Sequence, residues 1–225
     1  MIQKVSAIIV AAGDGTRMGG VSKPLILLNG ITVFEHVLQK FIRSKYIDEI
    51  VVACKDTAEL ESIAAKYRES MPITLVQGGA TRNESVNKAF CATDKDTRII
   101  VIHDCARPLV LTETINEIIE AAFRSGAATA STPVTDTIKY IDEDKVKTPK
   151  RSALKAVQTP QVFNKDVYSV ALALAKKNNY IATDDTTLVE KAGFKVTYVD
   201  CPVTNIKLTT PSDVVIANTL IGGNL

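Results

Sequence analysis

The chain has 225 residues, 27 Lys and Arg against 25 Asp and Glu, and a net charge of +2. That balance supplies no broad basic field for polymeric nucleic acid, so an anionic ligand must be gripped locally. The length suits one large α/β domain, here taken as residues 1–225, and no apolar run approaches membrane-spanning length.

Four cysteines, Cys54, Cys91, Cys105 and Cys201, form no Cys-x-x-Cys pair, and only His36 and His103 stand beside them, which argues against a structural zinc site. With no leader pattern at the start, a cytoplasmic chain with reduced thiols and no membrane partner is expected.

In chain order, the run Val5–Ala12 reads as a buried strand that passes into a glycine-rich loop. Val33, Phe34, Val37, Leu38, Phe41 and Ile42 then trace one face of a helix. Strand-like runs follow at Glu49–Lys55, Ile73–Gly79 and Arg98–Asp104. Thr112–Ser125 repeats a helical pattern that Gly126 stops. A further strand is expected at Ala127–Val134 and another at Phe194–Asp200. Thr210-Pro211-Ser212-Asp213 reads as an N-cap, a first-turn proline and an acidic first turn, opening a last helix through Leu220. The alternation predicts an α/β fold with a mostly parallel sheet covered on both faces. Residues 136–158 break the rhythm with short β-like runs around Asp142-Glu143-Asp144. A hairpin projecting from the domain fits them, and such a hairpin needs a partner surface, so a dimer contact is expected there.

Ligands of open parallel sheets bind at the carboxyl ends of the strands, so the residues that close each strand carry the information. The loop after the first strand is neither a P-loop, which needs Gly-Lys-Ser/Thr, nor a complete dinucleotide fingerprint, since Met18 stands at the third glycine position. Gly13-Asp14-Gly15-Thr16-Arg17, Gly78 to Ser85, and His103 to Pro108 nevertheless share one rim. Arg82 opens a helix, where a cation is mildly unfavourable with the macrodipole, and so reads as part of an anion site. Asp104 ends an apolar strand, where a carboxylate can bridge a divalent cation to a nucleotide. Arg17 and Lys23 on a flexible loop suit the charge that builds during phosphoryl transfer. His103 reads as a residue oriented by the core, because an already ionised phosphate acceptor needs no general base, and Cys105 reads as a small packing residue. Together these features point to a phosphorylated ligand.

The order "AAGDGTRM", Lys23, "GGATRNESV", "HDCARP", "PVTDTIK", "TPQVF", "TDDTTLVE" and "NIKLTTPSD" resembles the family of 2-C-methyl-D-erythritol 4-phosphate cytidylyltransferases over nearly the whole chain. The related ribitol 5-phosphate cytidylyltransferases share most of these motifs. The resemblance implies a three-layer α/β/α, Rossmann-like nucleotidyltransferase with a projecting β-hairpin arm and a homodimer joined through that arm. It further implies magnesium-dependent transfer of CMP from CTP to a polyol phosphate, with release of pyrophosphate.

By the same resemblance, Ala11, Ala12, Gly13 and Gly15 would hold CTP through their backbone, with Arg17 and Lys23 on its phosphates. Gly79, Ala80 and Ser85 would frame the cytosine. Asp104 would coordinate magnesium and approach the acceptor, Cys105 would touch the ribose through its backbone, and Arg107 would support the site. Thr137, Arg151 and Lys207 would bind the acceptor, with Arg151 reaching in from the neighbouring subunit. The chain departs from the family pattern in its Ser22-Lys23-Pro24 context, in Ala80 for an aspartate and in Cys105 for an alanine. "PVTDTIK" and "TDDTTLVE" favour methylerythritol phosphate as the acceptor. Ribitol phosphate, a glucose-1-phosphate-type reaction and a non-catalytic nucleotide-binding protein are the alternatives.

Overall fold

The computed structural model describes residues 3–13, 22–143, 145–180 and 182–223. Its centre is a seven-stranded sheet in the order β11-β7-β10-β6-β1-β4-β5. Here β1 is Lys4–Ala11, β4 Glu49–Cys54, β5 Ile73–Gln77, β6 Thr97–Asp104, β7 Ala127–Pro133, β10 Lys155–Asn164 and β11 Thr197–Asp200. β5, β4, β1 and β6 run parallel, as do β7 and β11, whereas β10 lies antiparallel between β6 and β7. Two small hairpins stand apart, β2 (Leu27–Leu28) with β3 (Ile31–Thr32), and β8 (Tyr140–Asp142) with β9 (Lys145–Lys147).

The helices are α1 (Val33–Ile42), α2 (Thr57–Ala65), α3 (Arg82–Cys91), α4 (Thr112–Ser125), α5 (Lys165–Lys177), α6 (Asp185–Lys191) and α7 (Pro211–Gly222). Their starts are written into the sequence. The side chains of Thr32, Asp56, Thr81, Asn164 and Asp184 each accept a hydrogen bond from a first-turn amide. Gly126, at φ +82°, closes α4 in the left-handed conformation that a Cβ disfavours.

Two cores flank the sheet, because alternate residues of each strand face opposite sides. Val5, Ala7 and Ile9 of β1 pack with Phe34, Val37 and Phe41 of α1 and with Ile115, Ile118 and Ile119 of α4. Ile8 turns the other way, into a cluster with Val86 of α3, Tyr168 of α5 and Val189 of α6. This is the three-layer arrangement expected from the alternating pattern.

Element boundaries differ from the sequence reading in two informative places. The edge strand β11 begins at Thr197 rather than Phe194, since Phe194 and Val196 pack against the α5 and α6 side of the core. Residues 155–158 fall within the span 136–158, yet Lys155, Ala156 and Val157 pair with Pro133, Thr132 and Ser131 of β7 as the start of β10. The excursion outside the main sheet is therefore shorter than the polar stretch that marks it.

Candidate active site

β1, β5 and β6 end at the same edge of the sheet, and their following loops line one pocket of about 300 Å³. β1 contributes Ala11, with Ala12 and Gly13 beyond it. The turn into α3 contributes Gly79, Ala80, Thr81, Arg82 and Ser85, and β6 contributes Asp104 with Cys105 and Ala106. Lys23, Pro24 and Lys207 close the remaining side. The described residues of the three loops named from sequence, Gly13 alone from the first, meet on one rim, and Lys207 joins them from the C-terminal segment.

The turn after β5 is held from within. A Cβ on Gly78 would lie 2.5 Å from Ala12 Cβ and 2.9 Å from Ser85 Oγ, so the close approach of this turn to the first loop requires glycine. The Gly79 amide donates to Ser85 Oγ at 3.0 Å, and that hydroxyl donates to Thr81 O at 2.9 Å. The Ala80 amide donates to Glu84 Oε2 at 2.8 Å. These amides are satisfied inside the turn, and Ser85 shapes the pocket through Gly79. The Cys105 amide is likewise engaged, donating to Val10 O at 3.0 Å, and its buried thiol has its pKa pushed up by desolvation.

Asp104 is the acidic side chain among the described residues lining the pocket, facing the cationic Lys23, Arg82 and Lys207. Arg82 Nε donates to Asp104 Oδ1 at 3.0 Å, and Lys207 Nζ to Oδ2 at 2.6 Å. Burial alone would raise the Asp104 pKa, but Arg82 and Lys207 outweigh it and hold the carboxyl far below its usual range. The ionised carboxylate is thus fixed at the strand end. Its backbone is fixed as well, its amide donating to Thr159 Oγ1 at 3.1 Å.

His103 is fully buried, its Nδ1 at 3.1 Å from Thr159 Oγ1 and its Nε2 at 3.2 Å from Arg107 O. Burial lowers its pKa to about 4, so it stays neutral and serves as a packing and hydrogen-bonding element.

The C-terminal segment is tied to the rim by backbone and side chain. Leu208 N donates to Ala106 O at 2.7 Å, Lys23 Nζ to Leu208 O at 3.0 Å, and Arg107 Nη1 to Asn205 O at 2.7 Å. Arg107 stands behind the pocket rather than in its lining, where burial depresses its pKa. Asn205 Nδ2 donates to Gln158 Oε1 at 2.9 Å and to Thr159 O at 3.0 Å, joining the C-terminal segment to β10.

Thr137 and Arg151 are exposed and lie outside the pocket of their own chain. Arg151 sits in a short 3-10 turn, Arg151–Ala153, and donates from Nη1 to Thr135 O at 2.8 Å. Gly15 and Arg17 lie outside the described residues. The sequence reading missed a buried layer beneath the pocket, in which Asp185, Tyr168 and Gln161 support Arg82 and α6. Its signal was present in the Thr-Asp-Asp that precedes a helical pattern and in the Gln of "TPQVF".

A pocket lined by Lys23, Arg82 and Lys207, on the carboxyl rim of a mostly parallel sheet, is the setting of a nucleotidyltransferase. Residues 5–222 match the family model for 2-C-methyl-D-erythritol 4-phosphate cytidylyltransferase, and the chain belongs to that family. The enzyme of that name from Caldanaerobacter subterraneus subsp. tengcongensis is 42% identical over 219 residues, spanning 95% of this chain and 96% of the relative. Among solved structures, the 4-diphosphocytidyl-2C-methyl-D-erythritol synthase of Anaerococcus prevotii matches with a TM-score of 0.87 and 32% identity, covering 98% of this chain and 97% of that one. The 2-C-methyl-D-erythritol 4-phosphate cytidylyltransferase of Thermus thermophilus matches with a TM-score of 0.80 and 32% identity, over 98% of this chain and 100% of that one.

Proposed function

We propose that the rim pocket is where CMP passes from CTP to 2-C-methyl-D-erythritol 4-phosphate, giving 4-diphosphocytidyl-2-C-methyl-D-erythritol for isoprenoid precursor synthesis. An oxygen of the acceptor phosphate forms a bond to the α-phosphorus of CTP while the bond to the bridging oxygen breaks, and pyrophosphate leaves. The acceptor is ionised, so no general base is required. The observation that carries this reading is the Asp104 carboxylate bracketed by Arg82 and Lys207 at the mouth of a cationic pocket, in a chain of this family.

In this reading Ala11, Ala12, Gly13 and Gly15 hold CTP through their backbone, while Arg17, Lys23 and Lys207 stabilise charge on the phosphates. Gly79, Ala80 and Ser85 frame the cytosine, and their internally hydrogen-bonded turn supports this role by giving a rigid edge. Cys105 borders the ribose, and Arg107 fixes the segment that delivers Lys207.

Magnesium is the cofactor of this reading. Mg²⁺ commonly binds through one or two carboxylates together with substrate phosphates. No cluster of three or more His, Cys, Asp or Glu side chains suited to a metal occurs among the described residues. Among the described residues lining the pocket, Asp104 is the carboxylate that would hold such an ion together with the phosphates of CTP. The metal supplies charge neutralisation at the triphosphate.

The acceptor site is completed by Thr137 and Arg151 of a second copy, with Lys207 from the first, so that the enzyme works as a homodimer. Residues 136–154, the part of the span outside the main sheet, act as the arm of a single domain. Exposed Ile138, Tyr140, Ile141 and Val146 on the arm support this, since apolar side chains gathered on a thin hairpin gain from a covering surface. No helix among the described residues is long and apolar enough to cross a membrane, and the four cysteines are unpaired, which supports a cytoplasmic location.

The deciding experiment measures pyrophosphate release from CTP with methylerythritol, ribitol and hexose phosphates. Turnover is expected with methylerythritol phosphate well above the others, and a preference for ribitol phosphate overturns the acceptor assignment.

A further inference from the structure

We infer that Asp185 and Tyr168 are positioning residues that anchor Arg82 against Asp104, so that Lys207 is the cation left to move onto the substrate during transfer. This inference rests on the proposed reaction at the rim pocket. It begins from a row of alternating charge that runs inward from the pocket.

Lys207 Nζ meets Asp104 Oδ2, Arg82 Nε meets Asp104 Oδ1, and Arg82 Nη1 meets Asp185 Oδ2 at 2.7 Å. Tyr168 closes the row, its hydroxyl donating to Asp185 Oδ1 at 2.6 Å. Asp185 is absent from the pocket lining and only 4% exposed.

A buried carboxylate of this kind is weak support for stability, because well-packed apolar residues serve a core equally well or better. Its placement is nevertheless strongly specified. The amides of Asp185 and Thr186 both donate to Gln161 Oε1 at 3.1 Å, and Gln161 Nε2 donates to Asp184 Oδ2 at 2.9 Å. Tyr168 is equally fixed, stacked on Phe163 with ring centroids 5.3 Å apart and edge-on to Phe90 at 5.3 Å. Strand β10 and helices α3, α5 and α6 thus converge on one guanidinium that faces the pocket.

The two cations on Asp104 are held unequally. Arg82 is gripped on both sides, and leaving would strand Asp185 as an unpaired buried charge, which is strongly unfavourable. Lys207 reaches Asp104 from a flexible stem and has a more exposed side chain, 39% against 26% for Arg82. A triphosphate entering the pocket draws on every cation within reach. Lys207 can answer, while Arg82 stays and keeps Asp104 in place. Without the anchor, Arg82 would also turn toward the phosphates, tightening the bound ground state and loosening Asp104. An interaction that favours the ground state alone slows the chemical step.

Two variants test this, Asp185→Asn and Tyr168→Phe, with CTP affinity measured by calorimetry without acceptor and turnover measured with CTP and methylerythritol phosphate. Asp185→Asn should lower kcat about tenfold while CTP binds as tightly as in the wild type or a few-fold tighter. Tyr168→Phe removes one hydroxyl and keeps the ring packing, so it should move kcat in the same direction by about threefold. A merely structural role predicts no such split between binding and turnover. Unchanged kcat in either folded variant, or CTP affinity lost in step with kcat, overturns the inference. If Asp185→Asn fails to fold, Tyr168→Phe decides by the same criteria. A wild-type enzyme that prefers another polyol phosphate overturns the acceptor assignment instead, and the variants are then compared with that acceptor.

Discussion

At the carboxyl rim, charged side chains are drawn inward and engaged. Asp104 has two cations, Arg82 two carboxylates, and the Asp104 backbone a hydroxyl. On the β8–β9 hairpin the distribution is reversed, with Tyr140, Ile141 and Val146 more than half exposed and strands that pair only with each other. The contrast separates what one copy of the chain completes from what it leaves open. Asp104 and Arg82 are engaged by residues from distant parts of the same chain, which fixes the geometry of that pair. The hairpin presents apolar surface outward, and Arg151, beyond it in the chain, is exposed and donates to Thr135 O; in the proposed homodimer both would meet a second copy.

Substitutions can break this contrast at either end. The largest effect is expected at the rim, where Asp104→Asn keeps the side-chain shape and removes the charge between Arg82 and Lys207. Turnover should fall by roughly 10³-fold while the circular-dichroism spectrum remains that of the folded protein. A variant that stays active would assign Asp104 to structure alone.

Lys23→Ala comes next, with kcat expected to fall by about 10²-fold and CTP affinity changing less, the pattern of a contact made mainly in the transition state. Weaker CTP binding at unchanged kcat would place Lys23 on the ground state instead.

At the other end, Arg151→Ala should raise KM for the acceptor about tenfold or more and leave CTP affinity near that of the wild type, because a bidentate guanidinium suits a phosphate monoester. Mixing this variant with Asp104→Asn sharpens the comparison. A heterodimer holds one site in which both residues are intact, so activity should reappear on subunit exchange. Exchange without recovered activity would return Arg151 to its own chain or to solvent.

The smallest effect concerns Asp213, at the start of α7 and outside the pocket lining. Its carboxylate accepts from the Thr209 and Thr210 amides at 2.7 Å. Burial works to raise its pKa, but these bonds and the Thr209 hydroxyl prevail and lower it to about 2. A depressed carboxyl pKa contributes stability above the unfolded value of roughly 4 and loses it as pH falls through the folded one. Wild type should therefore exceed Asp213→Asn by about 1 kcal/mol in melts near pH 7, with the gap closing between about pH 4 and pH 2.

The rim was legible in the sequence because strands of a parallel sheet are long apolar runs and their last residues must lie together. Asp104 and the Gly79 turn could each be placed by that rule. Arg82 stood out as a cation at a helix start, but its buried partner did not. Asp185 and Tyr168 are far from Arg82 along the chain, and nothing in local spacing links them.

β10 was hidden for a related reason. Its first residues are exposed, Thr159-Pro160 interrupts the run, and its register against β7 shifts between Val157 and Gln161. Neither strict alternation nor an unbroken apolar stretch marks such a strand. α5 was obscured by its three alanines, which blur the contrast between its faces.

β10 leaves the foot of the arm at Lys155 and passes beneath the pocket, where Thr159 supports Asp104 and Gln161 receives the start of α6. Tolerance to insertion and deletion should therefore change abruptly at Lys155. Residues added to the β8–β9 turn lengthen a spur outside the main sheet. One residue added within Lys155–Asn164 slips the strand and turns its side chains to the opposite face. Thr159 would then leave Asp104, and Gln161 would leave the amides of Asp185 and Thr186. Natural length variation among homologous arms should thus be confined to the spur, with the ten-residue strand kept at constant length.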